Sequence, residues 1–155
     1  MLRRYADILE SWKGTKYLDG HSQKGVGVDC VNFVDRVWNE LWDMKFPTLP
    51  EYPPQVSLHN PHIVVRVGLI MRNRYPIYRI RDPKGFDECP PGTALVGMLK
   101  RSGRKWPGHA MLVGPDGKSI WHSIEGSGVA QIGDFAQRWN IARAWVPKEK
   151  LCLQD

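Results

Sequence analysis

The stretch Gly27-Val28-Asp29-Cys30-Val31-Asn32-Phe33-Val34-Asp35-Arg36-Val37-Trp38-Asn39-Glu40-Leu41-Trp42 decides how the chain is read. Val31, Val34, Val37, Trp38, Leu41 and Trp42 recur every three or four residues, the period of a helix that buries one face. The approach from Gly14 to Asp29 is polar and rich in glycine, so the pattern predicts a helix beginning near Asp29 or Cys30. A cysteine then stands at a helix N-terminus, where free N–H groups and the dipole favour negative charge on sulfur. The run Lys24 to Asp29 is flexible enough to bring the Cys30 N–H close to a substrate carbonyl as an oxyanion donor. Two readings stand side by side: a reactive thiolate, or a cysteine that is simply buried, as unpaired cysteines commonly are.

Upstream, Leu2, Tyr5, Ile8, Leu9 and Trp12 have helical spacing, with Gly14 placed to end a helix over residues 2–13. Downstream, prolines cluster between Pro47 and Pro61, which reads as an extended surface loop. Ile63 to Tyr75 suits a third helix, although its β-branched content also allows a strand. After Pro90-Pro91-Gly92 the pattern changes to short β-type runs at 93–99, 109–113, 119–124, 129–132 and 142–146, with a short helix expected over 134–139. Helices first and a small antiparallel sheet afterwards is the pattern of an α+β domain.

The chain has 155 residues, and a domain of that length buries about 70% of its unfolded surface, so residues 1–155 are expected to form one domain. Its 15 glycines and 12 prolines show no repeat, which excludes collagen and solenoids. Ile63–Met71 is broken by Arg66 and is far shorter than the ~20 residues of a membrane span, so no span is expected. The charged start Met1-Leu2-Arg3-Arg4 leads us to expect synthesis in the cytoplasm without a signal peptide. Cys30, Cys89 and Cys152 form neither a disulfide framework nor a zinc knuckle and are expected to be free thiols. Lys and Arg number 22 against 16 Asp and Glu, and the resulting +6 favours anionic partners.

Two further residues bear on Cys30. His109 opens an apolar strand and His122 lies on the next, across Gly114-Pro115-Asp116-Gly117. With a two-residue loop, His109 and His122 are directly opposed on one face. His109 then serves as base, and His122 holds it in the right tautomer. A three-residue loop with a bulge at Gly117 slips the register by one, and Ser123 then faces His109 instead. Each histidine singly is equally compatible with an ordinary hydrogen-bonded role. His21, His59 and His62 lack zinc-ligand spacing, and Gly25-Val26-Gly27 is too short for a dinucleotide fingerprint, so neither metal nor organic cofactor is expected. The basic runs Arg72 to Lys84 and Lys100 to Lys105 suit carboxylates or phosphates, or simply a solvated loop. Aromatic stacking platforms among them are not evident, and nucleic acid is not expected as a partner.

Gly14-Thr15-Lys16-Tyr17, Gly27 to Val34, Pro91-Gly92-Thr93, Gly108 to Val113 and Ile120-Trp121-His122-Ser123 together resemble the NlpC family of papain-like cell-wall cysteine peptidases. Ile124-Glu125-Gly126-Ser127-Gly128-Val129 and Ala142 to Pro147 are similar to its branch in phage tail tips and gene transfer agents. The resemblance implies a papain-like α+β fold, with Cys30 as nucleophile, His109 as base and His122 as the third polar residue. It assigns the Tyr17 hydroxyl to the oxyanion hole or a substrate clamp. It also implies a peptidoglycan stem peptide as substrate and tail-tip or baseplate hub proteins as partners. Leu18-Asp19-Gly20, Val31 and Thr93 depart from the family pattern at the substrate rim. Other functions compatible with the chain are a structural adaptor or plug of a tail hub, and a contact-delivered wall-amidase toxin.

Overall fold

The computed structural model describes residues 1–50, 61–100, 108–132, 135–149 and 151. Helix α1 spans Leu2–Trp12, strands β1 (Ser22–Gln23) and β2 (Gly27–Val28) form a small hairpin, and α2 spans Cys30–Leu41. Helix α3, Pro61–Arg74, takes the helical of the two alternatives its sequence allowed. Then come β3 (Ile77–Arg81), a 3-10 turn at Phe86–Glu88, β4 (Ala94–Leu99), β5 (His109–Val113), β6 (Ile120–Ile124), β7 (Gly128–Ile132), the short α4 (Phe135–Arg138) and β8 (Trp139–Pro147). The large strands form one antiparallel sheet in the order β3-β8-β4-β5-β6-β7. Strand β3 was not foreseen: Ile77-Tyr78-Arg79-Ile80-Arg81 carries too much charge to read as a strand, yet at a sheet edge its outward residues meet water. Of the Pro-rich loop, residues 51–60 lie outside the described residues, as does Cys152.

Helix α2 is buried on nearly every side: Cys30, Val31, Phe33, Val34, Val37, Trp38 and Leu41 all enter the larger core cluster. It packs on β5 and β6 and against α1 and α3. At its far end Trp38 Nε1 donates to the Gly92 carbonyl at 2.9 Å. Asp35, on this helix, is fully buried and satisfied from three sides: Tyr75 donates its hydroxyl to Oδ1 at 2.8 Å, Arg36 pairs with Oδ2, and Arg74 Nη1 lies 3.5 Å from Oδ1. Burying an unpaired carboxylate would be prohibitive, so this network fixes where α3 ends relative to α2. A second, smaller cluster of Cys89, Leu95, Met111, Val113, Ile120, Phe135, Trp139, Ala144 and Val146 covers the opposite face of the sheet.

Where α3 crosses β8 the approach is close, because a Cβ on Gly68 would lie 2.6 Å from Trp145 Cζ2. Alanine in a helix interior normally gains about 0.5–1 kcal/mol over glycine. Here Gly68→Ala is expected to destabilise by about 1–3 kcal/mol, since a buried indole has nowhere to retreat. Urea unfolding of the two proteins reads the sign directly.

Candidate active site

Cys30 is the first residue of α2, and the preceding Asp29 caps the helix: its Oδ1 accepts the Asn32 N–H at 2.8 Å. Asp29 Oδ2 accepts the Gly20 N–H at 2.8 Å and Asn32 Nδ2 at 3.1 Å, so one carboxylate joins the preceding loop to the helix. The loop is tied to the sheet as well. Val129 N–H donates to the Thr15 carbonyl at 2.9 Å, and the Ser123 hydroxyl donates to the Val28 carbonyl at 2.7 Å. Ser123 is the neighbour of His122, so Cys30 and the histidine strands share one end of the sheet.

His109 Nε2 and His122 Nδ1 lie 3.0 Å apart, with the rings edge to face. The register differs from the expected one. Leu112 pairs with Trp121 and Val113 with Ile120, so the strands separate at Gly114, whose N–H donates to Ser119 O at 2.7 Å. The loop is longer than two residues because Asp116 Oδ1 accepts the N–H groups of Lys118 at 3.0 Å and Ser119 at 2.8 Å, wrapping an Asx-type turn. A shift of two positions, unlike a shift of one, leaves His122 on the His109 face. The histidines are diagonal neighbours rather than directly opposed, and their rings are long enough to bridge the difference. Ser123 points the other way, to Val28.

Trp139, unforeseen from sequence, stacks on His109 with centroids 5.0 Å apart at 28°. Its spacing carried no local sign of this, since it reaches His109 only through β8 pairing with β4. Because His109 pairs with Gly97 while Ala110 pairs with Val96, the imidazoles lie on the side of Trp139 and Met111. Cys30 belongs to the helical side. His109 is the first residue of β5, at the end of the sheet that Ser123 ties to Val28.

Tyr17 donates its hydroxyl to Asp19 Oδ1 at 2.7 Å, so its proton is aimed at the residue that departs from the family pattern. His21 Nδ1 lies 3.0 Å from the Asp19 carbonyl. His59 falls outside the described residues, and His62 is placed only as a residue of α3. Among the described residues no three His, Cys, Asp or Glu converge as metal ligands. The cysteines described, Cys30 and Cys89, are both free of disulfides.

Cys30 is 0%, His109 2% and His122 8% exposed. Burial, and then His122, lower His109 from the ordinary 6.5 to about 3, and burial lowers His122 to about 4. Both rings are neutral at pH 7. For His109 to accept a proton at Nδ1, its Nε2–H must donate to His122 Nδ1, which makes His122 the acceptor that selects the tautomer. By contrast, burial and then Glu88 push the Cys89 thiol up to about 11, leaving it protonated and unreactive at neutral pH.

A crystal structure described as similar to lipoprotein, NLP/P60 family, from Staphylococcus aureus subsp. aureus Mu50 is similar to this chain with a TM-score of 0.56 at 11% identity. The match covers 96% of this chain and 42% of that one, so this chain spans less than half the length of that protein. The likeness establishes the fold, a mixed α+β architecture of the NLP/P60 type. No family model and no curated protein sequence matches the chain.

The lowered histidines make stability depend on pH with a definite sign. Between about pH 6.5 and 4 the unfolded chain binds protons that the folded pair refuses, so acidification favours unfolding. Stability is expected to be full above pH 6.5 and to fall toward pH 4, by up to about 1.4 kcal/mol per pH unit for each histidine. Denaturant titrations of the wild type and His122→Asn across that window check this: the variant should show the shallower slope.

Proposed function

We propose that the chain is a cysteine endopeptidase acting on the stem peptides of bacterial peptidoglycan, with Cys30 as nucleophile, His109 as base and His122 as orienter. The observation that carries this reading is the neutral His109–His122 contact at 3.0 Å, sharing one end of the sheet with a cysteine at a helix N-terminus. The NLP/P60-type fold supports it.

In the proposed reaction the Cys30 thiol gives its proton to His109 Nδ1, and Sγ attacks the scissile carbonyl carbon. The Cys30 N–H, at the N-terminus of α2, is assigned to the developing oxyanion. The imidazolium of His109 is steadied by donating Nε2–H to His122. It then passes its Nδ1 proton to the leaving amine as the C–N bond breaks and a thioester forms. Water adds to the thioester, gives its proton to His109 and releases the acid, and the thiol is restored. Tyr17, held by Asp19, belongs to the substrate rim in this scheme. No step uses a metal or an organic cofactor.

The same proposal assigns the chain to the tail tip of a phage or gene transfer agent, in contact with hub proteins. What supports it is the similarity of Ile124 to Val129 to that branch. If so, the chain co-sediments with particles rather than remaining a free cytoplasmic protein. A second reading, a structural module that keeps the fold without the chemistry, is favoured by the burial of Cys30 and His109, since a peptide reaches them only when the surrounding chain parts.

Sacculi incubated with the purified chain separate the two. A peptidase releases stem-peptide fragments, Cys30→Ala releases none, and His109→Ala loses a factor of about 10² to 10⁴. His122→Asn, which still accepts a hydrogen bond, retains a measurable fraction. Release by Cys30→Ala equal to wild type would hand the case to the structural module. Iodoacetamide mapping adds an independent readout: Cys30 should label at neutral pH and Cys89 should not.

A further inference from the structure

Most of the charge in the described part of the chain is balanced where it is buried, as Arg36 and Arg74 are by Asp35. Four arginines on one side of the molecule, three exposed and one half-buried, have no such carboxylate. Arg72 lies on α3, Arg79 and Arg81 on β3, and Arg143 on β8. Arg79 pairs with Trp145 and Arg81 with Arg143 across the β3–β8 ladder, so all three strand arginines share one face of the sheet. Arg72, Arg79 and Arg143 line one cleft with Gly68, Leu69 and Trp145, between α3 and the sheet edge. Among the described residues none of the four makes an ion pair or a side-chain hydrogen bond. Arg143 is held below the usual guanidinium range by burial and then by Arg79 and Arg81, with Asp82 opposing in part.

Like charges gathered on one face raise the energy of the free protein, and an anion bound there relieves it. The arrangement also limits which anion. Arg79 and Arg81 stand roughly 6.8 Å apart along the strand, with Arg143 about 5 Å across the ladder. That is a strip, longer than one phosphate or carboxylate, and it suits successive anionic groups of a linear chain. A guanidinium fork matches phosphate oxygens two at a time. Single-stranded nucleic acid would need faces on which bases stack. The strip has none: Trp145 on that face is buried beneath Gly68, and the exposed Tyr78 points to the opposite face.

We propose that Arg72, Arg79, Arg81 and Arg143 form a binding strip for a base-free phosphodiester polymer of the poly(glycerol phosphate) kind carried by bacterial walls. The proposal rests on the wall-peptidase reading for its choice of polymer, while the strip itself is separate from that site. Strand β3 is the sheet edge, three strand spacings or about 14 Å from β5, which carries His109. The strip would hold the chain on its substrate surface while leaving the peptide site free.

The test measures binding of a fluorescent poly(glycerol phosphate) oligomer to the full chain as salt is raised, beside Arg79→Gln/Arg81→Gln/Arg143→Gln and an Arg3→Gln/Arg4→Gln control. The wild type and the control should bind alike. The triple variant should lose at least about tenfold and a salt slope smaller by roughly one per arginine removed. Thermal unfolding of the triple variant should occur at the wild-type temperature or slightly above it, since these side chains hold nothing in place and their removal relieves like-charge repulsion. Equal binding by the triple variant, or no binding by wild type in low salt, overturns the strip. Tighter binding of an oligothymidylate through the same arginines would assign it to nucleic acid and overturn the choice of polymer. Digestion of polymer-stripped sacculi is a separate arm: the triple variant should match wild type there. Failure of wild type in that arm alone would count against the peptidase and leave the strip standing.

Discussion

A buried carboxylate, Asp29, holds the candidate site in place. It caps the helix that begins with Cys30, accepts the Gly20 N–H from the preceding loop, and takes a side-chain hydrogen bond from Asn32. The first turn of a helix has N–H groups without intrahelical acceptors, and inside a core these must be satisfied or the end frays. By meeting that need with a residue adjoining the cysteine, the chain fixes the position of Sγ with the same bonds that begin α2. The sheet then takes its bearing from that end through the Ser123 bond to Val28. Cys30 and the histidine strands thus belong to separate elements that one short stretch of backbone ties together.

The surroundings of the histidines explain why their chemistry differs from that of surface imidazoles. Trp139 closes one side of His109 and His122 meets its Nε2, so water is kept from the ring. Exclusion of water makes the charged form of each ring costly. Both imidazoles are accordingly neutral at pH 7.

Much of this is legible in the amino-acid sequence. The 3.6-residue period located α1 and α2 to within a residue or two, and the turn chemistry located β4 to β7. Cys30 at a helix start and two histidines on neighbouring strands could be read from spacing alone. What could not be read depends on contacts distant in sequence. Strand β3 is a strand because β8 comes back to pair with it, not because Tyr78-Arg79-Ile80-Arg81 prefers to be one. The His109–His122 register turned on whether Asp116 would bend its carboxylate back onto Lys118 and Ser119, which Pro-Asp-Gly permits without requiring. Trp139 looked like one more apolar residue before a strand.

The sheet order holds one more consequence, for the way the chain is made. Strand β8, residues 139–147, lies between β3 and β4, and among the described residues β3 has no other partner. A chain emerging from the ribosome therefore carries β3 and β4 for more than 40 residues of synthesis with facing edges unpaired. Until the last strand inserts, both edges can recruit strands from neighbouring nascent chains. Assembly of this sheet is thus a race between synthesis of β8 and intermolecular pairing. Arg79 and Arg81 put like charges on the outermost strand, a composition that disfavours pairing between copies of the same edge.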